Sequence, residues 1–272
     1  MKKFWLSPSA LNILKDCPRC FWLDKITNVK RPRGIFPSLP GGMDGVIKTY
    51  FDAFRIKNKL PPEVTGKLPG GLFSHMPTLE KWRSWRTTNL KYNDPTDKAL
   101  LSGALDDCLQ DGEIYIPLDY KTRGSPLTSD PAVYYQSQMD CYCLMLESQG
   151  HKTNGTAYLL YYWPLEVHTD GMIKFAVTPY KINTSIDSAK QLVTQAIDIL
   201  SSSIPKASPE CEYCDYAQNR NSSYKDDFIR KPEKPAKPTA SKPSITPKQP
   251  AKTKPLKKID PPKDESGQFY FF

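Results

Sequence analysis

Three charged residues in the middle of the chain have the types and spacing to hold a metal ion. Asp119 and Lys121 end the apolar run of "IPLDYKTRG", and Asp106 stands thirteen residues before Asp119, in "GALDD". Carboxylate oxygens are the ligands that hard divalent cations prefer. These residues therefore indicate a metal-dependent active site, with a surface ion pair at the end of a strand as the simpler alternative.

A β-hairpin is predicted to carry these residues. Asp111 and Gly112 separate two apolar segments, and Asp-Gly is a strong signal for a two-residue hairpin turn. A turn at this dipeptide pairs Gln110 with Glu113. The segments "LLSGALDDCLQ" and "EIYIPLDYKT" are then the two antiparallel strands.

The same turn decides which way the charged side chains point. Counting back from it pairs Asp106 with Pro117, and because side chains alternate along a strand, Asp106, Asp119 and Lys121 share one face, the polar one. Asp106 and Asp119 become diagonal neighbours, roughly 7–8 Å apart at the backbone. Two carboxylates at that separation can bracket one hard cation. The opposite, apolar face is predicted to consist of Leu105, Leu109, Ile114, Ile116 and Leu118, with Asp107 as the exception.

Helices and further strands surround the hairpin. Helices are predicted from Ser7, over 41–58, around "TLEKWRSWR", over 130–150 and in "SIDSAKQLVTQAIDILSSS", and strands in "GTAYLLYYW" and "MIKFAVTPY". The order predicts an α/β fold with a mixed β-sheet flanked by helices. Trp82 and Trp85 either pack against the core, the favoured interpretation, or stack on nucleic-acid bases.

Four of the seven cysteines form two pairs, Cys17 with Cys20 in "CPRC" and Cys211 with Cys214 in "CEYC". Two such pairs are typical of a metal centre if the two ends of the domain meet. The other three cysteines stand in apolar segments and are predicted to be ordinary core residues. They are Cys108, Cys141 and Cys143.

The positive charge of the chain is concentrated at its C-terminus. Residues 231–272 carry a net charge of +6 out of +9, with ten lysines and nine prolines, so the body is nearly neutral. This composition predicts a disordered tail. The tail ends in "QFYFF", Gln268 to Phe272, which we interpret as a docking peptide for a protein partner. The alternatives are that it folds back onto the body or has no role.

Several classes of protein are excluded by what the sequence lacks. It has no G-x-S-x-G nucleophile elbow and no phosphate-binding G-x-x-x-x-G-K, and its three histidines have no metal-ligand spacing. No apolar segment approaches the ~20 residues of a membrane-spanning helix. Neither a secretory signal nor a membrane association is predicted, and the expected location is the cytoplasm.

The ordered set of motifs resembles the PD-(D/E)XK nucleases, and within them the RecB-like branch that includes CRISPR-associated exonucleases. "GALDD" is similar to the G-x-x-D element of that branch, "LDYKT" to its D-x-K element and "QMDCY" to its Q-x-x-x-Y helix. "SPSALNILKDCPRCFWL" is similar to its N-terminal cysteine-proline pattern. The resemblance spans about residues 5–220. It implies a restriction-endonuclease-like core, with a nuclease domain over 1–230 and the tail over 231–272.

The resemblance also implies roles for individual residues. Asp106 and Asp119 would bind magnesium or manganese, and Lys121 would orient the attacking water and offset charge on the phosphate. Gln138 and Tyr142 would position the DNA strand or the metal ligands. The branch often has a histidine on the helix before G-x-x-D. None occurs at 41–58, and Asp44 is the nearest substitute metal ligand.

The cysteine pattern departs from that of the iron–sulfur members of the branch. Those members have one N-terminal cysteine and three near the C-terminus, whereas this chain has Arg220 in place of the last one and Cys20 as an additional first one. A 4Fe-4S cluster held by Cys17, Cys20, Cys211 and Cys214 is the interpretation that the resemblance favours, and structural zinc is the alternative.

Together, these features predict a metal-dependent DNA nuclease, in particular an exonuclease of DNA repair, recombination or mobile-element processing. Such an enzyme hydrolyses phosphodiester bonds and is a DNA-binding protein. The alternative is a catalytically impaired DNA-binding or assembly subunit of a larger complex. The absent histidine favours that alternative, and the intact set of Asp106, Asp119 and Lys121 argues against it.

Overall fold

The computed structural model describes residues 3–32, 34, 38–86, 89–127 and 132–223. Contacts divide the chain into two units, Met1–Ala217 and Gln218–Phe272. The predicted tail over 231–272 and its aromatic peptide lie outside the described residues. Among the described residues, no helix has both the length and the apolar character needed to cross a bilayer.

The first half of the chain is mainly helical. Its elements are β1 (Phe4–Leu6), α1 (Pro8–Asp16), α2 (Pro18–Trp22), α3 (Ser38–Arg55), β2 (Gly71–Leu72), α4 (Met76–Arg83), β3 (Leu90–Asn93) and β4 (Ala99–Gly103). The predicted start of α1 is confirmed. Ser7 Oγ accepts a hydrogen bond from the Ala10 N–H at 3.2 Å, and Pro8 occupies the first turn.

The second half supplies the longer strands. Its elements are β5 (Asp107–Asp111), β6 (Ile114–Thr122), α5 (Ala132–Ser148), β7 (Thr156–Val167), β8 (Ile173–Asn183), α6 (Ile186–Ser201) and α7 (Glu212–Ser223). Gly150, with φ +85°, follows the end of α5 as predicted. The predicted order of hairpin, helix, two strands and helix is therefore confirmed.

The strands form two sheets. The larger one has the order β2-β5-β6-β7-β8, and the smaller one has the order β1-β4-β3. In the larger sheet β6 and β7 are parallel, whereas the other neighbouring strands are antiparallel. Helix α5 connects the parallel pair. The predicted mixed sheet flanked by helices is confirmed. The prediction that "LLSGALDDCLQ" is one strand of the hairpin is wrong, because its first part lies in β4 of the smaller sheet and only β5 pairs with β6.

The predicted register of the hairpin is wrong by two residues. Asp111 pairs with Ile114, so the turn residues are Gly112 and Glu113 rather than Asp111 and Gly112. Gly112 has φ +59°, and the first turn position of such hairpins needs a positive φ, which glycine adopts more readily than aspartate. Asp111 can then remain in the strand.

This shift changes the partners of the charged residues but not their side of the sheet. The predicted register paired Asp106 with Pro117, whereas in the structure Asp107 pairs with Leu118. Continued by one residue, the observed register places Asp106 directly opposite Asp119, whereas the predicted register made the two residues diagonal neighbours. Side chains alternate with a period of two, so a shift by two residues leaves each on its predicted face. Asp106 and Asp119 therefore remain on the same side.

Both faces of the larger sheet are covered, although the sequence predicted one apolar and one polar face. On one side, Leu109, Ile116 and Leu118 pack with Ile47 and Phe51 of α3. On the other, the core includes residues of the hairpin and of three helices, α1, α5 and α6. Asp119 is consequently only 1% exposed. The expectation that it points away from the core is wrong.

The two tryptophans of the α4 region have different environments. Trp82 is buried and stacks on Phe73, with ring centroids 5.0 Å apart. Trp85, two residues after the end of α4, is 74% exposed. The prediction of a core position is confirmed for Trp82 and wrong for Trp85.

Candidate active site and four-cysteine centre

Asp106 lies immediately before β5, at the side of β6. Its Oδ2 accepts a hydrogen bond from the Tyr120 N–H at 3.2 Å. Its Oδ1 lies 2.8 Å from Lys48 Nζ. These contacts fix the Asp106 carboxylate next to Asp119, the residue that precedes Tyr120 on β6.

Asp119 is a buried carboxyl group with one oxygen that lacks a hydrogen bond. Gln138 Nε2 donates to Oδ1 at 3.0 Å. Lys121 Nζ lies 2.5 Å from Oδ2, yet within the described part of the chain no donor makes a hydrogen bond of acceptable geometry to this oxygen. Burial, together with the negative charge of Asp106, raises the pKa of Asp119 to about 7, against the opposing effect of Lys121. Each of the two carboxylates thus has a lysine beside it, and one oxygen of Asp119 still lacks a hydrogen bond.

Lys121 projects from the same face of β6 as Asp119. Burial lowers the pKa of Lys121, but the Asp119 carboxylate outweighs this effect and the pKa is raised overall. Its Nζ also lies 4.4 Å from the centroid of the Tyr135 ring. Lys121 therefore remains protonated at neutral pH and can act as a hydrogen-bond donor and a positive charge, not as a base.

Gln138 and Tyr142 of α5 face the carboxylates. They are four positions apart, which places both on one side of the helix. Gln138 Nε2 donates to Tyr142 Oη at 2.8 Å, and Tyr142 Oη donates to the Ala104 carbonyl at 2.6 Å. The two residues therefore connect α5 to Asp119 and to the segment that leads into Asp106. The structure therefore brings together the five residues predicted for the active site. They are Asp106, Asp119, Lys121, Gln138 and Tyr142.

Asp44, the predicted additional metal ligand, is separated from the pair of carboxylates by a lysine. Lys48 Nζ lies 2.8 Å from Asp44 Oδ2 and 2.8 Å from Asp106 Oδ1. Burial lowers the pKa of Lys48, but the charge of Asp106 outweighs this and raises it. The residue of α3 that approaches the site is thus a lysine, where the resemblance led us to look for a histidine.

Sequence reasoning missed Lys48, although a signal for it existed. Ile47 and Phe51 mark the buried side of α3, and Lys48 follows Ile47 at the border of that side. A lysine at the border of an apolar helix face can bury its stem and bring its ammonium to a nearby carboxylate.

Asp107, the second acid of "GALDD", belongs to a separate and fully buried ion-pair network. The Arg55 guanidinium donates to both of its oxygens, at 2.7 and 2.6 Å, and Arg83 and the Tyr120 hydroxyl donate to Oδ2 at 3.0 and 2.6 Å. Its position on the apolar face of the hairpin was the sequence signal for such a network. These contacts saturate Asp107, so it is not available to a metal.

The four paired cysteines converge, as predicted. Cys17 lies between α1 and α2, Cys20 lies in α2, Cys211 precedes α7 and Cys214 lies in its first turn. All four sulfur atoms lie within 4.8 Å of one another. The closest pairs are Cys20 with Cys211 and Cys20 with Cys214, both at 3.6 Å, and Cys17 with Cys214 at 3.9 Å.

The surroundings of this centre act on its thiols in opposite directions, because burial raises the pKa of Cys20 and of Cys214, whereas the pKa of Cys17 is lowered. Burial raises the pKa of Cys17, but hydrogen bonds from the backbone N–H groups of Cys20 and Ser208 outweigh it and lower the pKa to about 6. Arg31 Nη2 lies 3.7 Å from Cys211 Sγ and adds a positive charge. A thiolate is the form of cysteine that binds metal. The centre can therefore hold a metal group between the two ends of the Met1–Ala217 unit.

Comparison with known proteins identifies one family. The family model of the PD-(D/E)XK nuclease superfamily matches residues 68–218, more than half of the chain. The match includes the hairpin, the α5 residues and the second cysteine pair, and it begins after the first pair and Lys48. No curated protein shows significant similarity to the chain.

Proposed function

The chain belongs to the PD-(D/E)XK nuclease superfamily, and we propose that it is a magnesium- or manganese-dependent deoxyribonuclease of the RecB-like branch, acting as an exonuclease. The observation that carries this proposal is the pair of adjacent carboxylates, Asp106 and Asp119, one with an oxygen that lacks a hydrogen bond. A pair of carboxylates of this kind, with Asp119 buried and Asp106 partly exposed, supports a role in binding a cation.

The donor set fits a hard divalent ion. Two carboxylates on the same side of the sheet offer the oxygen ligands that magnesium and manganese prefer. Burial and the charge of Asp106 raise the pKa of Asp119 to about 7, and a bound cation would oppose both effects. Asp106 and Asp119 would hold the ion, and Asp44 would reach it only if Lys48 moved.

The chain's own side chains would complete the chemistry. A bound magnesium or manganese ion would acidify a water molecule and neutralise charge on the scissile phosphate. Lys121, protonated and held by Asp119, would donate a hydrogen bond to the attacking water or to a phosphate oxygen. Gln138 would fix the orientation of the Asp119 carboxylate, and Tyr142 would fix the orientation of Gln138.

End-labelled oligonucleotides test this proposal. Purified protein is incubated with single- and double-stranded DNA, and with RNA of the same sequence, in magnesium, manganese or a chelator. We expect DNA to be shortened from its ends in the presence of either metal and to remain intact with the chelator. Cleavage that continues with the chelator would contradict the metal requirement, and internal cuts would contradict the exonuclease assignment.

One observation favours the second candidate, a catalytically impaired DNA-binding or assembly subunit. The Lys48 ammonium lies 2.8 Å from Asp106 and occupies one side of the carboxylate pair. A positive charge at this position competes with a cation for Asp106. If Lys48→Ala or Lys48→His gives metal-dependent cleavage that the natural protein lacks, the impaired subunit is the correct description. If the natural protein cleaves DNA and Lys48→Ala does not, Lys48 belongs to the active machinery.

For the four-cysteine centre, the sulfur separations support a single tetrahedral ion over the 4Fe-4S cluster. A zinc–sulfur distance of ~2.3 Å places tetrahedral thiolates about 3.8 Å apart, close to the separations of 3.6 and 3.9 Å. A cluster of four irons and four sulfides would hold the thiolates farther apart. Metal and sulfide analysis of anaerobically purified protein distinguishes zinc alone from iron with sulfide. The absence of both zinc and iron would refute a metal centre.

We propose a cytoplasmic role in DNA repair, recombination or mobile-element processing, with the C-terminal peptide Gln268 to Phe272 as a contact to a protein partner. A basic segment that ends in four aromatic residues would gather nucleic acid and present a short apolar anchor. This part of the proposal rests on the sequence alone. A synthetic peptide of these residues should compete with the full chain for binding to the partner.

A further inference from the structure

A cleft of about 440 Å³ opens beside the carboxylate pair. Gln138 and Tyr142 form part of its wall, and Gly103 and Ala104, which lead into Asp106, form another part. Its volume falls within the ~300–1,000 Å³ of sites that bind small ligands. The cleft is therefore connected to the candidate active site through the residues that hold Asp119.

The chemistry of the cleft is polar but uncharged. The side chains of Ser7, Ser9, Asn12 and Ser102 line it, and none of its lining residues carries a formal charge. Hydroxyl and amide groups can hydrogen-bond the edge of a base or a sugar. A carboxylate, which would repel a nearby phosphate, is not part of this lining.

Trp85 presents an exposed aromatic surface at the cleft. It is 74% exposed, and the Arg86 guanidinium lies 5.2 Å from the centroid of its ring. An exposed tryptophan with an adjacent arginine is a favourable platform for stacking a base, because every base has a π-face and the arginine attracts the adjoining phosphate.

We propose that this cleft binds one unpaired nucleotide of a DNA strand next to the scissile phosphate, with its base stacked on Trp85. In the interior of a duplex both faces of a base are covered by its neighbours, so an interior base must be unpaired or extruded to lie on this ring. The inference rests on the proposed nuclease function and deepens it: the substrate of the site is single-stranded DNA or the single-stranded overhang of a duplex.

Binding of oligonucleotides to full-length protein tests this inference without requiring cleavage. The affinity of a fluorescent oligothymidylate of ten nucleotides is measured by anisotropy in the presence of a chelator. All proteins carry Asp119→Asn, and the three compared have intact Trp85, Trp85→Ala or Trp85→Phe. Trp5→Ala is the matched control, because Trp5 is 60% exposed and does not line the cleft. We expect Trp85→Ala to weaken binding roughly 5- to 150-fold, as for the loss of one stacked base, and Trp85→Phe to retain most of the affinity.

An abasic substitution moved along the oligonucleotide makes the test independent of folding. At one position, removal of the base should weaken binding to the protein with intact Trp85 but not to Trp85→Ala, because base and ring act as one pair. A blunt duplex should bind both proteins equally. The inference would be overturned if Trp5→Ala weakened binding as much as Trp85→Ala does, or if Trp85→Ala did not weaken binding. It would also be overturned if Trp85→Ala weakened binding to the blunt duplex as much as binding to the single strand.

The outcomes separate this inference from the nuclease proposal. If the protein with its natural Asp119 cleaves no DNA in either metal but Trp85 dependence is observed, the cleft binds single strands and the nuclease proposal fails. If DNA is cleaved and Trp85→Ala binds and cleaves like the natural protein, the nuclease proposal remains and the assignment of the cleft fails.

Discussion

At the scale of single residues, the two adjacent acids of "GALDD" have opposite surroundings. Asp106 contacts Lys48 and the Tyr120 N–H at the border of the candidate site. Asp107 is fully buried and paired with two arginines. Neighbours on a strand point to opposite faces, so one aspartate can serve a site and the next can hold the core together.

Substitution of these two residues should therefore separate activity from stability. We expect Asp106→Asn to abolish cleavage with little change in the free energy of unfolding. Asp107→Asn should cost about 3–5 kcal/mol, because it leaves the buried Arg55 without a full counter-charge. Urea unfolding and the oligonucleotide assay check this prediction, with each variant as the control for the other. Equal stability losses would contradict the assignment of Asp107.

Asp119→Asn and Lys121→Met should also abolish cleavage and leave the fold intact. Asparagine keeps the shape of the buried side chain and the bond from Gln138, whereas Asp119→Ala would leave a cavity in a position that is 1% exposed. Circular dichroism confirms folding, and cleavage in magnesium and manganese is measured. Near-normal rates in either variant would remove that residue from the catalytic set.

The pKa of Asp119 predicts how metal affinity depends on pH. The metal-free carboxyl has a pKa of about 7, and a carboxyl group must lose its proton to bind a cation. Manganese should therefore bind about 10-fold more weakly at pH 6 than at pH 8, with proton release at the lower pH. Isothermal titration calorimetry in two buffers of different ionisation enthalpy measures both effects. An affinity that does not change with pH would show that Asp119 is already ionised.

At the scale of elements, the cysteine pairs join α1 and α2 to the start of α7. Cys17→Ser should lower the melting temperature more than Cys141→Ser, because metal-binding energy at such a site is folding energy. Cys141 is the matched control: it is equally buried, and burial raises its pKa to about 12, so it is a neutral core thiol. Differential scanning fluorimetry with and without a strong chelator makes the comparison. A larger effect of Cys141→Ser would argue against a metal at the four cysteines.

The sequence predicted the elements better than their contacts. The helix caps, the hairpin and the faces of Asp106 and Asp119 follow from local rules and were predicted. The place of the turn was not, because Asp-Gly permits either alignment and the φ of Gly112 decides between them. The burial of Asp119 was missed because the helix that covers it, α5, is adjacent only in the folded chain.

The same limit applies to Lys48 and Arg55. Both lie on α3, and their partners, Asp106 and Asp107, follow more than 50 residues later. A pattern within a short window cannot indicate which distant charges will meet. The convergence of the four cysteines was predictable because metal binding imposes a definite requirement on ligand number and proximity.

At the scale of the whole molecule, the buried clusters of the described residues extend to Cys214, and the composition of residues 231–272 predicts a disordered tail. Truncation after Arg230 should therefore leave the melting temperature and the cleavage of short oligonucleotides nearly unchanged. It removes a net charge of +6, so DNA affinity should fall at low salt and converge with that of the full chain as salt increases. Thermal unfolding and anisotropy titrations at several salt concentrations check this. A large loss of stability would show that the removed segment packs on the body.

The distance along the chain between the two cysteine pairs also has a consequence for biosynthesis. Cys20 and Cys211 are 191 positions apart, and at a translation rate of about 5–20 residues per second roughly 10–40 s pass between their syntheses. Throughout that interval the first pair of thiols exists without its partners and must stay reduced. If the four cysteines bind a metal, its loading would be one of the last events in the making of this protein, after the ribosome has synthesised nearly all of its folded body.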